Sequence, residues 1–417
     1  NFYVKIDSRV TFLRKRYMKL YKRFLLEEIK KQILLNDEIA KKKDLKHRKK
    51  RAIILYGARQ VGKTTLVKEL IENYEGKSSY INCELIYNRQ ALETQDDKVL
   101  NDFIAGKKLV VFDEAQQVRN IGLTLKILID TFPEVQVIAT GSSSFDLANK
   151  IKEPLTGRAL TYMLYPLSYY ELKQQVDLRS PVYLENILRY GLYPEVFSFL
   201  ESDKDYAQRV LEEITSNYLY KDIFELENLK RSDMVLKLLQ ALALQVGNEV
   251  SVNELSTIVG LNRKTIEHYL YLLEKSFVIF SLGSFSRNLR KELNKKRKIY
   301  FYDLGIRNSL IQNYNKPDLR SDIGGLWDNF CILESLKLKQ IKKRSVNTYF
   351  WRTYDQQEID YIEEHSGRLE GYEFKWGKAK KAFKPPKLFV ETYENSSIQQ
   401  IDRNNFIEFI ASNFTER

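Results

Sequence analysis

Between residues 51 and about 165, short apolar runs alternate with stretches whose apolar positions recur every three or four residues. The runs fall at 52–56, 79–83, 108–112 and 135–139, and a helical pattern follows each. Runs of this length suit strands buried on both faces. Their alternation with helices predicts a parallel sheet with helices packed against it. Upstream, "LRKRYMKLYKRFLLEEIKKQILL" predicts an amphipathic helix within residues 10–40. Residues 168–245 read as mostly helical, with a turn at "YGLYPE" (190–195). Residues 250–303 read as short helices followed by a strand pair. Residues 321–417 read as a helix that continues into strands. There is no tandem repeat and no low-complexity segment.

Composition narrows the picture. A chain of 417 residues with 43% hydrophobic residues is large enough for several cores. The formal net charge of +13 favours an acidic partner such as DNA, although a generally basic proteome is the plain alternative. The charge run "KKKDLKHRKKR" (41–51) reads either as a solvated linker or as an arm that contacts phosphate. The two cysteines, Cys83 and Cys331, exclude a disulfide framework and a zinc site and fit a reducing compartment. A cytoplasmic location is therefore expected. No apolar run reaches the roughly 18 residues of a membrane span, so no membrane partner is expected.

The segment Gly57-Ala58-Arg59-Gln60-Val61-Gly62-Lys63-Thr64-Thr65 fits G-x-x-x-x-G-K-[ST], preceded by "AIILY" and followed by a helical pattern. The two glycines let the backbone curl so that N–H groups face phosphate oxygens, and the following helix presents its positive end. Lys63 is expected to neutralise the phosphates of ATP, and the Thr64 hydroxyl to ligate Mg2+. "KKLVVFDEAQ" supplies the second half of such a site. Asp113 would hold the magnesium, and Glu114 would act as general base towards water; capping of the next segment is the plain reading of the pair. The run "VQVIATGSSS" ends in polar residues, of which Thr140 or Ser142 would sense the γ-phosphate or cap the next helix. Arg158 follows a glycine and would reach a γ-phosphate in its own or a neighbouring subunit, or stand as an ordinary surface arginine. The trans case implies a homo-oligomer.

The stretches "GARQVGKTTL", "FDEAQ", "TGSSS", "GRA…YPLSYYEL", "YGLYPE", "NYLYKDI", "KIYFYDLGIRNSL" and "YFWRTYDQQEIDYI…EFKW" span roughly residues 45–410. In these stretches the chain resembles the AAA+ superfamily ATPases of bacteria and archaea that carry a C-terminal domain of unknown function. The resemblance implies ATP binding and hydrolysis and leaves the biological role open.

Residues 250–283 have the pattern of a winged helix-turn-helix. Ser251 or Asn253 starts the first helix, Gly260 makes the turn and Asn262 caps the second helix. Ile266, Leu270 and Leu273 would face the core. Arg263, Lys264, Glu267, His268 and Tyr271 would then point outward, where a recognition helix meets DNA. Basic residues at 287–298 would contact phosphate. A lid or protein-contact module is the alternative, and Glu267 would repel phosphate.

Near the end, "EIDYIEE" and "LEGYEFKW" read as paired strands. Glu373 and Lys375 share one face, and Asp360 would meet them. This is the D…E-x-K arrangement of PD-(D/E)XK nucleases, in which Asp360 and Glu373 would bind a divalent metal and Lys375 would orient water. Asp328 and Glu334 are weaker candidates on the preceding helix, since the family pattern has Glu where Asp328 stands. Ordinary salt bridges are the alternative.

The expected architecture is α/β. An N-terminal helix and basic linker (1–50) precede a P-loop NTPase parallel sheet of AAA+ type (51–170). A helical region (171–230), a winged helix (231–320) and a restriction-nuclease-like α/β domain (321–417) follow. The expected partners are ATP and DNA. A nucleotide-controlled protein-interaction switch is the alternative.

Overall fold

The computed structural model describes residues 20–41, 50–104, 106–142, 154–178, 181–218, 232–286, 297–353, 355–377 and 383–412. The start of the expected N-terminal helix, most of the 41–51 basic run, the end of "TGSSS", most of "NYLYKDI" and the basic stretch 287–296 lie outside the described residues.

The first helix, α1 (Phe24–Lys41), precedes an α/β unit. This unit comprises β1 (Ala52–Tyr56), α2 (Lys63–Glu72), β2 (Ser78–Asn82), α3 (Ile86–Glu93), α4 (Asp97–Ile104), β3 (Leu109–Asp113), α5 (Ile121–Thr131), β4 (Gln136–Gly141) and β5 (Ala159–Met163). The strands form a sheet of order β2-β3-β4-β1-β5, parallel throughout. All five residues of β1 and of β3 are buried. Successive side chains leave opposite faces, so Ile53 and Leu55 join one core while Ala52, Ile54 and Tyr56 join another. Leu25, Leu26, Ile29 and Ile33 of α1 cover the first face. The four strands expected from apolar runs are present. The edge strand β5 was not expected, because most of its residues are only half-covered and carry no apolar run.

The remainder opens with α6 (Tyr169–Lys173), α7 (Pro181–Tyr190), α8 (Pro194–Phe199), α9 (Lys204–Glu213) and α10 (Ser232–Leu244). Next come β6 (Glu249–Val250), α11 (Val252–Val259), α12 (Arg263–Lys275), β7 (Ile279–Ser284), β8 (Arg297–Phe301) and α13 (Leu304–Leu310). The chain continues with α14 (Ile323–Ile341), β9 (Asn347–Arg352), β10 (Glu358–His365), β11 (Arg368–Phe374), α15 (Lys387–Thr392), β12 (Ser396–Ile401) and α16 (Phe406–Ser412). Their strands make one mixed sheet of order β12-β11-β10-β9-β7-β8-β6. Strand β7 pairs in parallel with β9 through Gly283↔Tyr349 and Ser284↔Phe350. The domain boundary expected near residue 320 therefore falls between strands of a single sheet.

Asp303 ties this half together. Its carboxylate caps α13 by accepting the Ile306 N–H at 3.1 Å, and it also accepts the Leu192 N–H at 2.7 Å. Burial pushes this carboxyl up to about 6. Asn308 donates to the carbonyls of Leu188 and Arg189. Arg307 and Arg320 share Asp322. "YGLYPE" and "YDLGIRNSL" are thus two sides of one contact.

A methyl group at Gly305 would lie 2.1 Å from the Tyr190 carbonyl oxygen, a backbone atom that a rotamer change cannot move aside. Gly305→Ala is therefore expected to lower unfolding stability by about 2 kcal/mol or more, read from the urea midpoint at unchanged slope. A midpoint equal to wild type would mean that α13 and α7 do not approach so closely.

Candidate functional site

The P-loop leaves β1 at Tyr56. A side chain at Gly57 has no room, because a Cβ would lie 2.3 Å from the Leu164 carbonyl oxygen. Gln60 and Gly62 adopt positive φ of 61° and 98°. Gly62 stands at the N-cap of α2 and has no side chain to occupy the helix's first N–H groups, so these face outward as an anion site. Lys63, which opens α2, is buried. Its ammonium donates to the carbonyl oxygens of Gly57 and Ala58, each at 2.9 Å.

Asp113 ends β3, next to the P-loop, because β1, β3 and β4 lie side by side with their C-terminal ends together. Three hydroxyls converge on its carboxylate. Thr64 Oγ1 donates to Oδ2 at 2.7 Å, Tyr80 OH to Oδ2 at 2.6 Å and Thr140 Oγ1 to Oδ1 at 2.5 Å. Glu114 follows in the left-handed region at φ 54°. Its N–H donates to Thr140 Oγ1 at 3.1 Å, and its Oε2 accepts from Gln116 Nε2 at 2.5 Å. Gln116 Nε2 also donates to Ser142 Oγ at 3.1 Å. Thr140 and Ser142, expected to read a γ-phosphate or to cap a helix, have hydroxyls engaged with the acidic pair and its glutamine.

Two neighbours are held neutral by this surrounding. Burial, followed by the bond to Asp113, raises the Tyr80 phenol far enough to keep its proton as a donor. Burial, with Asp113 and Glu114 adding to it, pushes the Cys83 thiol up to about 12.

Arg158 lies elsewhere. It immediately precedes β5, and its carbonyl oxygen accepts the Ala52 N–H at 2.8 Å. Its side chain pairs with Asp130 at 3.3 Å. The P-loop begins beyond Tyr56, at the other end of β1, roughly 13 Å away at the usual strand rise. That separation removes the expectation that Arg158 reaches a γ-phosphate in its own chain.

A narrow cleft opens beside Ala58 and Arg59 of the loop. Tyr165, Phe277 and Tyr302 line it, so its wall comes from both halves of the chain.

The helix pair at 251–275 has its expected caps. Ser251 accepts the Glu254 N–H, and Asn262 accepts the Thr265 N–H at 2.9 Å; Gly260 takes φ 80° between the helices. Ile266, Leu270 and Leu273 are buried as expected, and so are Tyr269 and Leu272. Arg263, Lys264, Glu267 and Tyr271 are exposed, and His268 is half-buried. Arg263 is paired with Glu267 at 3.0 Å, which offsets part of the charge of this face.

In the C-terminal sheet, β10 shifts register between Ile359 and Ile362, a bulge that turns Asp360 towards β8 and β11. Asp360 accepts the Phe374 N–H at 3.0 Å and lies 3.5 Å from Lys298 Nζ, which also pairs with Glu358. Glu373 is bonded to Lys375 at 2.7 Å. Burial and then Asp360 raise the carboxyls of Asp328 and Glu373, which places Asp328, Asp360, Glu373 and Lys375 in one electrostatic neighbourhood. Burial opposes the Lys298 ammonium, but Asp360 and Glu358 hold its pKa above the usual lysine value. The buried Tyr300 hydroxyl, beside the same acids, has no hydrogen-bond partner among the described residues.

Glu334 is not part of this group. Its Oε2 accepts the Tyr169 N–H at 2.7 Å, and its Oε1 pairs with Lys337 at 2.7 Å. Its carboxylate is thus committed to α6, which removes it as a ligand alongside Asp360. Among the described residues, no group of three or more His, Cys, Asp or Glu is placed to hold a metal ion. No described helix is long and apolar enough to cross a membrane.

Sequence reasoning missed Tyr80, Gln116, Tyr300 and Arg23, and it placed Lys298 in a stretch expected to contact phosphate, whereas Lys298 is buried against Glu358 and Asp360. Tyr80 had a readable signal, since a strand paired beside β3 must place residues near Asp113. Arg23 had none, because it lies 34 positions before the P-loop.

Residues 49–173 match the family model described as an AAA domain. Residues 182–316 and 323–408 match two domains of unknown function, DUF8612 and DUF4143. Two uncharacterized proteins of Methanocaldococcus jannaschii are similar. One is 26% identical over 343 residues (73% of this chain, 70% of the relative), and the other 25% over 370 residues (82% and 79%). An uncharacterized protein of Mycobacterium tuberculosis is 26% identical over 330 residues (78% and 70%). Among solved structures, a Walker-type ATPase of Pyrococcus abyssi is 19% identical with a TM-score of 0.46, over 66% of this chain and 95% of that one. The RuvB Holliday junction branch migration motor of Thermotoga maritima is 16% identical with a TM-score of 0.28, over 61% and 88%. The N-terminal part of this chain is thus an AAA-type P-loop ATPase domain of α/β fold, followed by a region built on a mixed sheet.

Thr140→Val would remove a hydroxyl that both donates to Asp113 and accepts from Glu114. The expected result is turnover lowered by about 10–100-fold with ATP affinity within about threefold of wild type, measured by steady-state hydrolysis and nucleotide titration. Weaker ATP affinity with turnover unchanged would assign Thr140 to ground-state binding instead.

Proposed function

We propose that this protein hydrolyses ATP with magnesium and couples the cycle to DNA. The observation that carries the first half is the convergence of Thr64, Tyr80 and Thr140 on Asp113. A hydroxyl from the P-loop helix and a carboxylate from another strand meet within 2.7 Å. Hard oxygen donors so placed suit Mg2+, and Thr64 and Asp113 would hold it. When bound, the ion supplies positive charge to the phosphate oxygens. The loop's N–H groups and Lys63 bind and orient the phosphates. Glu114, set in a left-handed turn and held by Gln116, takes a proton from the attacking water. Thr140 fixes the relative position of the two acids.

Support for DNA is the face of α12 that carries exposed Arg263, Lys264 and Tyr271 beside half-buried His268, in a chain of net charge +13. The order α10, β6, α11, α12, β7, β8, with β6 and β7 flanking β8, agrees with a winged helix. A second reading is metal-dependent cleavage at the C-terminal group, supported by the common electrostatic neighbourhood of Asp328, Asp360, Glu373 and Lys375, although the described acids are not placed as a metal cage. A nucleotide-controlled protein switch with an inactive C-terminal domain is the reading these must displace.

Lys63→Ala is expected to abolish nucleotide binding, and Glu114→Gln to retain ATP while turnover falls by at least about 100-fold. Normal turnover in Glu114→Gln removes the base assignment. ATPase activity should rise with duplex or single-stranded DNA, and the rise should fall steeply between about 50 and 200 mM salt. Indifference to DNA supports the protein switch. Any magnesium-dependent cleavage should vanish in Asp360→Ala with ATPase activity intact.

A further inference from the structure

We infer that Arg23, from the segment preceding α1, is a positioning residue that sets the phosphate loop's geometry from outside. This rests on the nucleotide-binding reading. The Arg23 side chain is 9% exposed, and each guanidinium nitrogen has a partner. One terminal nitrogen donates to the Val61 carbonyl oxygen at 3.0 Å and the other to the Tyr165 carbonyl oxygen at 2.7 Å. Nε donates to Glu171 Oε1 at 3.2 Å.

The contact with Val61 has a geometric consequence. The described chain has no cis peptide, and in a trans peptide the C=O and the following N–H point in opposite directions. Fixing the Val61 carbonyl on Arg23 therefore turns the Gly62 N–H away from Arg23, towards the side from which a phosphate meets the loop. Gly62, at φ 98°, has no side chain to restrict its backbone. The charge of Arg23 is not spent on the phosphate, because Glu171, 3% exposed, neutralises it. Its contribution is orientation of the loop before nucleotide arrives.

Glu171 in turn is fixed. Its Oε1 accepts the Phe24 N–H, and its Oε2 accepts the Ser168 N–H in a capping box at the start of α6. The same turn is held from the C-terminal half, where Tyr169 N–H meets Glu334 and Lys337 donates to the Leu167 carbonyl oxygen at 2.8 Å. The loop's seat thus continues through α6 into α14.

The test is titration of the full chain with ATP, ADP and adenosine, alongside thermal unfolding. Arg23→Lys keeps the charge but loses the planar fork that spans three acceptors. The expected result is about tenfold weaker binding of ATP and of ADP with unchanged binding of adenosine, because the Gly62 N–H serves only phosphate. Glu171→Gln keeps an acceptor for Arg23 and removes the counter-charge, and it should give a smaller loss of the same pattern. It serves as the readout if Arg23→Lys does not fold. ATP and ADP affinities within twofold of wild type in the folded variants overturn the assignment. So does a loss of equal size for adenosine, which marks a general structural role. Wild type that binds neither ATP nor ADP overturns the nucleotide-binding reading and this one with it.

Discussion

Asp113 sits at the end of a strand with no exposed residue, and a carboxylate there must be satisfied by the protein. Thr64, Tyr80 and Thr140 supply three hydroxyl donors from α2, β2 and β4. The parallel sheet makes this geometry available, because it brings the C-terminal ends of β1, β2, β3 and β4 to one edge. Glu114 is held through the same Thr140 hydroxyl, so the two acids are not independent. Loss of one donor leaves a buried carboxylate short of a partner and disturbs the neighbouring Glu114.

The first turn of α6 is the second constraint. Its N–H groups face two buried carboxylates, Glu171 from its own capping box and Glu334 from α14. Burial raises the Glu334 carboxyl, which Lys337 at 2.7 Å offsets. The desolvation of a buried ion pair offsets much of its attraction, so its net contribution to stability is small while it holds its two elements in place. Here it fixes α14 against the end of the ATPase sheet. Asp303 does comparable work between α13 and the turn at Gly191, where a methyl group would lie 2.0 Å from the carboxylate oxygen.

The C-terminal acids are balanced differently. Lys298 stands between Glu358 and Asp360, and Lys375 stands on Glu373. Two basic groups therefore hold like charges close together on a buried bulge, where bare carboxylates would repel. On α14, Lys339 pairs with Glu363 and donates to Ser335 and Tyr361, and burial lowers its pKa to about 8. Glu358, Asp360, Glu363 and Glu373 are thus each held beside a lysine.

Local rules settled much of this protein. Apolar runs of strand length, helical spacing and a G-x-x-x-x-G-K-T loop act over a few residues. From them β1 to β4, the P-loop, Asp113 at the end of β3 and the caps at Ser251, Asn262 and Gly260 were all readable. Tertiary structure decided what depends on distant partners. The edge strand β5 forms because β1 offers it a ladder, and Arg158 falls at the far end of that ladder. Glu334 serves α6 because α14 docks there, and β7 joins β9 across an expected boundary. Arg23 and Tyr80 acquire their roles only when chain segments far apart in sequence meet, and periodicity carries no record of such meetings.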